Sequence, residues 1–359
     1  MNRTIRAFAG AMLLCASVAF AQEGPGSGQG GPQSMSIHDA AKAQVERQQT
    51  QPGNNAPVWR EVNSGKAFYT TAQGPEAGVL IQKGGEAWRK LRPSIYSMGG
   101  GLIGIALVLT MIFYAVRGPI KVQSGPSGRY IRRFTTSERI AHWTLGLSFV
   151  LLGLTGLVLT FGKYVLLPVI GYTLFGWLAT FTKNLHNFVG PVFSMTLPIF
   201  IVMYIRNNLP ASYDLKWLIQ LGGLLAPKGE HAPSGKFSAA EKLYFWGMVC
   251  VVSVVLAVTG LILDFPNFDQ TRGQMQLANT IHMIAAMIGI AMASFHIYLG
   301  TVGTKEAYEG MRYGYVDETW AKEHHNLWYE DVKAGKAPEP YADAPESVPE
   351  PVRVAVQGR

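Results

Sequence analysis

TIHMIAAMIGIAMASFHIYLG, residues 280–300, contains no Asp, Glu, Lys or Arg and is long enough to cross the hydrocarbon core of a bilayer as a helix of about 20 residues, yet it holds two histidines, His282 and His296. Fourteen residues separate them. On an α-helix that spacing is close to four turns, about 21 Å of rise with an angular drift of only about 40°. One helix face therefore offers two imidazoles at two depths. Gly289 lies seven residues from each on the same face, where the missing side chain leaves room for bulky groups above and below it.

Working outward, four further stretches are apolar and long enough to span a membrane, so that the five spans lie near 95–115, 140–162, 186–205, 241–263 and 279–302. The segment Tyr164–Phe181 is also apolar, but Pro168, Gly171 and Gly176 interrupt it and suit an interfacial or re-entrant connection. The fold class expected is an all-α membrane protein, with a four-helix core over 140–302 and one additional N-terminal transmembrane helix at 95–115.

The remainder of the chain sets targeting and orientation. Residues 1–21 have basic residues at Arg3 and Arg6, a short apolar run and small residues at Ala19 and Ala21, the pattern of a cleavable secretory signal. Residues 22–56 are rich in Gly, Gln, Ser and Pro and read as a disordered leader, while the aromatics and glycines of Trp59–Pro93 suggest a small strand-containing element. Residues 22–94 would thus form an external, periplasmic segment. The loops 117–139 and 206–242 carry six and five Lys or Arg, against two and one in 163–185 and 264–278. By the positive-inside rule the first pair faces the cytoplasm, as does the tail 303–359. The net charge of +8 is explained by these loops, so no nucleic-acid partner is expected. The two cysteines are Cys15, in the signal, and Cys250, in an apolar run; with no Cys-x-x-Cys-His, covalent c-type haem and a self-held iron–sulfur cluster are excluded.

Any redox metal must then be held by nitrogen, and ionisable residues inside spans mark function. His142 lies just inside the cytoplasmic start of the second span and His186 just inside the outer start of the third. Depth pairs His186 with His282 and His142 with His296, which points to two bis-histidine b-type haems, one outer and one inner. A single intramembrane histidine could instead bridge helices or carry protons. The second and fourth spans share a pattern, GLTGLVL at 153–159 and AVTGLIL at 257–263, that places Gly156 fourteen residues beyond His142 and at the outer depth. Gly156 and Gly289 are candidates for close cofactor approach or for plain helix packing. Arg139, one turn before His142, could pair with haem propionates while anchoring the interface, and Lys163 and Lys183 could act similarly outside. Trp143, Tyr204 and Tyr244 read as membrane-belt residues, and His324-His325 as a solvated tail pair.

With these residues in hand, the chain resembles the gamma, or cytochrome b, subunit of membrane-bound formate dehydrogenases. The match runs from about Arg132 to Tyr329 through RFTTSERIAHW at 133–143, NLHNFVGP at 184–191, GKFSAAEKLYFW at 235–246, the 280–300 stretch, and EGMRYGYVDETWAKEHHNLWYE at 309–330. The resemblance implies that His142, His186, His282 and His296 ligate two b haems. It also implies an iron–sulfur beta subunit and a molybdenum or tungsten catalytic alpha subunit outside the membrane. Electrons from formate would then reach a quinone near the cytoplasmic surface, bounded by His296 and the loop 227–235, where His231 could relay protons. Compact family members lack the residues corresponding to about 22–125, although GVLIQKGGEAWRKLRP at 78–93 is similar to longer members. Other readings are the cytochrome b of a hydrogenase or thiosulfate reductase and, from a different class, a haem-free anchor or proton-relay protein.

Overall fold

The computed structural model describes residues 83–223, 232–336 and 341–342, together with Lys42 and Glu46. The signal, the leader, the outer element as far as Gln82, and His231 with most of its loop lie outside the described residues. The described chain is helical almost throughout, and five helical stretches are long and apolar enough to cross a membrane. They are α1 (Ala87–Arg117), α2 (Thr136–Val165), α3 (Leu167–Asn208), α5 (Ala239–Asp264) and α6 (Arg272–Gly303), with a short α4 (Asp214–Ile219) between the third and fourth. This is the all-α membrane fold that the hydropathy pattern predicts. Large apolar side chains remain open on the surface, Val116, Tyr172 and Trp177 among them at 84%, 85% and 76% exposure, as expected of helices whose solvent is lipid.

One expectation is corrected. Helix runs from Lys83, so Lys83–Pro93 is not strand. Its Trp88 and Tyr96 flank Arg92 at 4.6 and 5.2 Å, each about one helical turn away, which removes the alternating pattern a strand needs. The segment 164–181 is helical too, broken at Gly171 (φ 74°, ψ 172°), a conformation open essentially to glycine alone. Pro168, in the first turn of α3, occupies the helix position that needs no N–H donor.

The chain divides into two compact units, residues 1–97 with 265–280, and 98–264 with 281–359. In the first, Thr271 and Gln274 cap one another at the start of α6, the Thr271 N–H reaching Gln274 Oε1 at 2.8 Å. The second unit holds α2, α3 and α5 together with α1 and α6 beyond those boundaries.

Within that second unit the sequence repeats itself. RFTTSERIAHW (133–143) and KFSAAEKLYFW (236–246) each open a helix with the same capping box, Thr135 with Glu138 and Ser238 with Glu241. The charges then cross: Arg133 of the first copy meets Glu241 of the second at 3.0 Å, and Lys236 of the second meets Glu138 of the first at 3.7 Å. Trp143 and Trp246 likewise both donate to backbone carbonyls, of Met311 and Asn208. Reciprocal pairing of this kind is what two similar helix hairpins packed face to face produce. Between the two openings lies an aromatic core of Phe134, Phe200, Tyr204, Phe237 and Phe245.

The end of the chain folds back onto this face. β1 (Tyr130–Arg132) pairs antiparallel with β2 (Tyr315–Asp317) on one side and β3 (Tyr341–Ala342) on the other. With α7 (Ala307–Tyr313), α8 (Glu318–His324) and α9 (Asn326–Lys333) they enclose a second small core around Ile131, Val316, Trp320 and Trp328. His324 and His325 belong to it, contrary to the solvated-pair expectation. His325 is 4% exposed, its Nδ1 2.8 Å from the Gly235 carbonyl, and His324 stacks on Trp320.

Candidate functional site

The four intraspan histidines meet in the two pairs that depth predicts. The ring centroids of His186 and His282 are 6.3 Å apart at an interplanar angle of 74°, and those of His142 and His296 are 6.3 Å apart at 50°. Rings joined by a direct N–H···N bond of about 2.9 Å would have centroids only about 5.2 Å apart. A ring nitrogen lies about 1.1–1.2 Å from the centroid of a five-membered ring with C–N bonds near 1.33 Å. Nitrogen binds a transition metal at about 2.0–2.1 Å, so two imidazoles on opposite sides of one metal have centroids about 6.3 Å apart. Both pairs are therefore spaced as two imidazoles sharing one metal ion would be. Among the described residues no group of three or more His, Cys, Asp or Glu could hold a metal, so each pair offers two nitrogen donors.

The helices aim these rings through short-range chemistry. On α2 the Thr155 hydroxyl is 2.8 Å from the Leu151 carbonyl and 2.8 Å from His186 Nδ1. On α5 the Thr259 hydroxyl is 2.6 Å from the Val255 carbonyl and 2.9 Å from His282 Nδ1. Each threonine is followed by a glycine that makes space for the same ring. A Cβ on Gly156 would lie 3.6 Å from His186 Cε1, and one on Gly260 3.3 Å from His282 Cε1. The Thr-Gly of GLTGLVL and AVTGLIL is thus a bracket for one histidine, and Gly260 is a site residue that sequence reasoning missed although the repeated pattern contained it. The threonines were missed with it.

The two brackets are in matching places only because of a local irregularity. From the capping residue to the threonine is 20 residues in α2 (Thr135 to Thr155) but 21 in α5 (Ser238 to Thr259). The π-helical turns at Phe245–Ser253 absorb the additional residue, and Thr259 returns to the face that meets α6.

The other pair is held differently. His142 Nδ1 is buried and has no hydrogen-bond partner, an orphaned polar atom of the kind a functional site carries. His296 is stacked flat on Tyr244, centroids 4.4 Å apart at 12°. Tyr244 is therefore a packing partner of a site histidine rather than a belt residue. Tyr204 is corrected in the same way, being 2% exposed with its hydroxyl donating to the Glu138 carbonyl. Gly289 sits midway along α6 against Phe149, Val252 and Met248, with a built Cβ 3.3–3.4 Å from each. Arg139 donates to the Arg312 carbonyl at 2.6 Å, and its Nε is buried without a partner.

Comparison with known proteins places the chain in a family. A family model described as prokaryotic cytochrome b561 matches residues 133–311, the stretch that contains all four histidines. The nitrate-inducible formate dehydrogenase cytochrome b556 subunit of Escherichia coli is 31% identical over 206 residues, covering 56% of this chain and 90% of that protein. A second E. coli formate dehydrogenase cytochrome b556 subunit is 29% identical over 205 residues, covering 56% and 93%, and the corresponding Haemophilus influenzae subunit is 28% identical over 224 residues, covering 61% and 90%. The chain belongs to this family of multi-pass membrane cytochromes, the cytochrome b556 subunits of formate dehydrogenases.

Proposed function

We propose that the chain anchors a respiratory formate dehydrogenase in the membrane and passes its electrons to quinone, holding two b-type haems between His186 and His282 and between His142 and His296. The observation that carries this reading is the 6.3 Å spacing in both pairs. Bound there, the haems supply one-electron carriers at two depths of the bilayer, connecting an outer electron donor to an inner acceptor. The chain's own part is to fix the imidazoles, to exclude water with the apolar side chains around Gly289, and to offer Arg139 Nε to an acidic group at the inner surface. Gly156 serves by leaving room at the outer level.

The names of the relatives favour formate over hydrogen or thiosulfate as the source of electrons. The partners are then an iron–sulfur beta subunit and a molybdenum or tungsten alpha subunit on the outer side. The charge asymmetry of the loops supports an outer N-terminal segment (22–94) and an inner tail (303–359). Quinone is placed beside His296 and the loop 227–235, where its reduction draws protons from the cytoplasmic side and His231 is the candidate relay.

The test is the haem content of purified single variants. Changing any one of the four histidines to Ala removes an axial ligand, and the content should fall from two haems per chain. Two haems per chain in all four variants would overturn the ligand set. Formate-to-quinone turnover by the copurified complex then tests the donor.

A further inference from the structure

The two pairs are chemically unlike, and the difference lies in what each ring's second nitrogen touches. In the His186–His282 pair both rings present Nδ1 to a threonine, Thr155 at 2.8 Å and Thr259 at 2.9 Å. Each threonine has one hydroxyl proton and a carbonyl one helical turn back, Leu151 at 2.8 Å and Val255 at 2.6 Å, to receive it. Its oxygen is then left to accept, so the imidazole donates from Nδ1. The contact selects the tautomer with the proton on Nδ1, which leaves the Nε2 lone pair available as a ligand. Among the described residues His142 Nδ1 is buried and without a hydrogen-bond partner, and His296 is stacked on the face of Tyr244.

We propose that Thr155 and Thr259 are positioning residues that fix the ligating tautomer of His186 and His282 and make this pair the stronger electron donor to its iron, so that it titrates at a lower potential than the His142–His296 pair. This rests on the four histidines being haem ligands. An acceptor on the far nitrogen raises the basicity of the near one, and a more basic ligand stabilises ferric over ferrous iron. Without that acceptor the other pair holds the ferrous state more firmly. Electrons arriving at the His186–His282 level would then move towards the His142–His296 level with a favourable difference in potential, set by two hydroxyl groups.

The experiment is a redox titration of the purified protein, followed optically and by low-temperature electron paramagnetic resonance, on wild type, Thr155→Val, Thr155→Ser, Thr259→Val and, as a control on the ligand set, His186→Ala. Valine keeps the shape of threonine and removes the hydroxyl. Losing the hydrogen-bond partner of a ligating imidazole changes metal affinity by about 10–100-fold, and a tenfold change in the ferric-to-ferrous preference is about 59 mV for one electron. Thr155→Val and Thr259→Val should each retain two haems and raise the lower-potential step by about that much, leaving the upper step in place. Thr155→Ser, which restores the hydroxyl, should titrate as wild type, and a purely structural role for the methyl group would not give that rescue. If both valine variants keep two haems and titrate like wild type while His186→Ala loses a haem, the threonine inference is overturned and the ligand set stands. If His186→Ala keeps two haems, both fall together. Should Thr155→Val not accumulate, Thr259→Val, on a different helix, decides the question alone.

Discussion

Alanine at Gly156 and at Gly260 should have opposite outcomes, because the two glycines face equivalent histidines at unequal distances. A Cβ at Gly156 would sit 3.6 Å from His186 Cε1, an ordinary van der Waals separation, whereas at Gly260 it would sit 3.3 Å from His282 Cε1. Carbon pairs are most favourable at about 3.5–4.0 Å, so only the second substitution pushes the ring. In a helix interior, Gly to Ala is worth about 1 kcal/mol in favour of the folded state, and Gly156→Ala should keep that gain. Gly260→Ala should lose it again, since overpacking costs typically about 1–3 kcal/mol, and here the group that must yield is an imidazole tethered to Thr259. The assay is haem stoichiometry and the ferric electron paramagnetic resonance spectrum, which reports the relative orientation of the two rings, together with thermal unfolding. Gly156→Ala should match wild type in both spectrum and stoichiometry; Gly260→Ala should shift the signal of one haem or lose that haem. The reverse pattern, with Gly156→Ala losing haem and Gly260→Ala silent, would show that the space beside Gly156 belongs to the macrocycle and not to the histidine ring, and the bracket argument would fail.

The folded tail should have a stability plateau in mildly acid solution. Burial first, and then Arg133, push the His325 imidazole down from 6.5 to about 3, against the opposing pull of Glu241, so docking is fully present above 6.5 and is lost as pH falls towards 3. Burial first, and then Asp317, Glu309 and Glu323, push the Glu306 carboxyl up from 4.5 to about 7, so its contribution is present below 4.5 and is lost as pH rises through 7. Amide exchange across Val316–Val332 should therefore be slowest between these limits, and Glu306→Gln should abolish the rise on the alkaline side; an unchanged alkaline limb would exclude Glu306 as its origin. Deleting the exposed Val251 from the π-helical stretch should convert α5 to regular helix with the 20-residue spacing of α2, keeping the Thr259–His282 contact and two haems. Deleting Leu151 from α2, which has no irregularity to remove, should rotate Thr155 away by about 100° and disturb a haem; equal damage from both deletions would mean that the π-turns are not what reconciles the two spacings.

What could be read from the sequence was whatever obeys a period. The apolar runs marked all five spans, and the fourteen-residue interval in α6 set two depths to which His142 and His186 could be matched without knowing a single contact. Where the period breaks, reading stopped. The additional residue inside Phe245–Ser253 puts the Thr-Gly of α5 one place out of step with that of α2 when both are counted from their caps, so the likeness of the two helix openings stayed hidden. Lys83–Pro93 carries glycines and aromatics that suggest turns and strands, and only its continuation into an apolar helix overrides that local preference. His325 looked solvated because it lies among charged residues, but it is buried against Gly235 and Glu241, ninety and 84 residues earlier in the chain.

The repeat also accounts for the unlikeness of the two histidine pairs. His186 and His282 occupy equivalent places, each near the start of the second helix of a hairpin and each bracketed by a Thr-Gly on the first. At the level of His142 and His296 the equivalence is broken. His142 aligns with Phe245 in the second copy of the helix opening, and the fourteen-residue step from His282 to His296, taken from His186, arrives at Phe200. Each hairpin thus offers one histidine and one phenylalanine at that depth, and the Phe200 ring lies 6.3 Å from the His142 ring. Two hairpins with all four positions as histidine would crowd four imidazoles around one site; one His and one Phe from each leaves a single histidine pair beside aromatic rings. Because the two surviving histidines come from non-equivalent helices, no symmetric pair of brackets can serve them. Ala141 stands where Tyr244 does in the other copy, so the Tyr244–His296 stack has no equivalent at Phe200, and His142 Nδ1 is without a hydrogen-bond partner. A difference in electronic character between the two levels therefore follows from breaking the repeat at one depth and keeping it at the other.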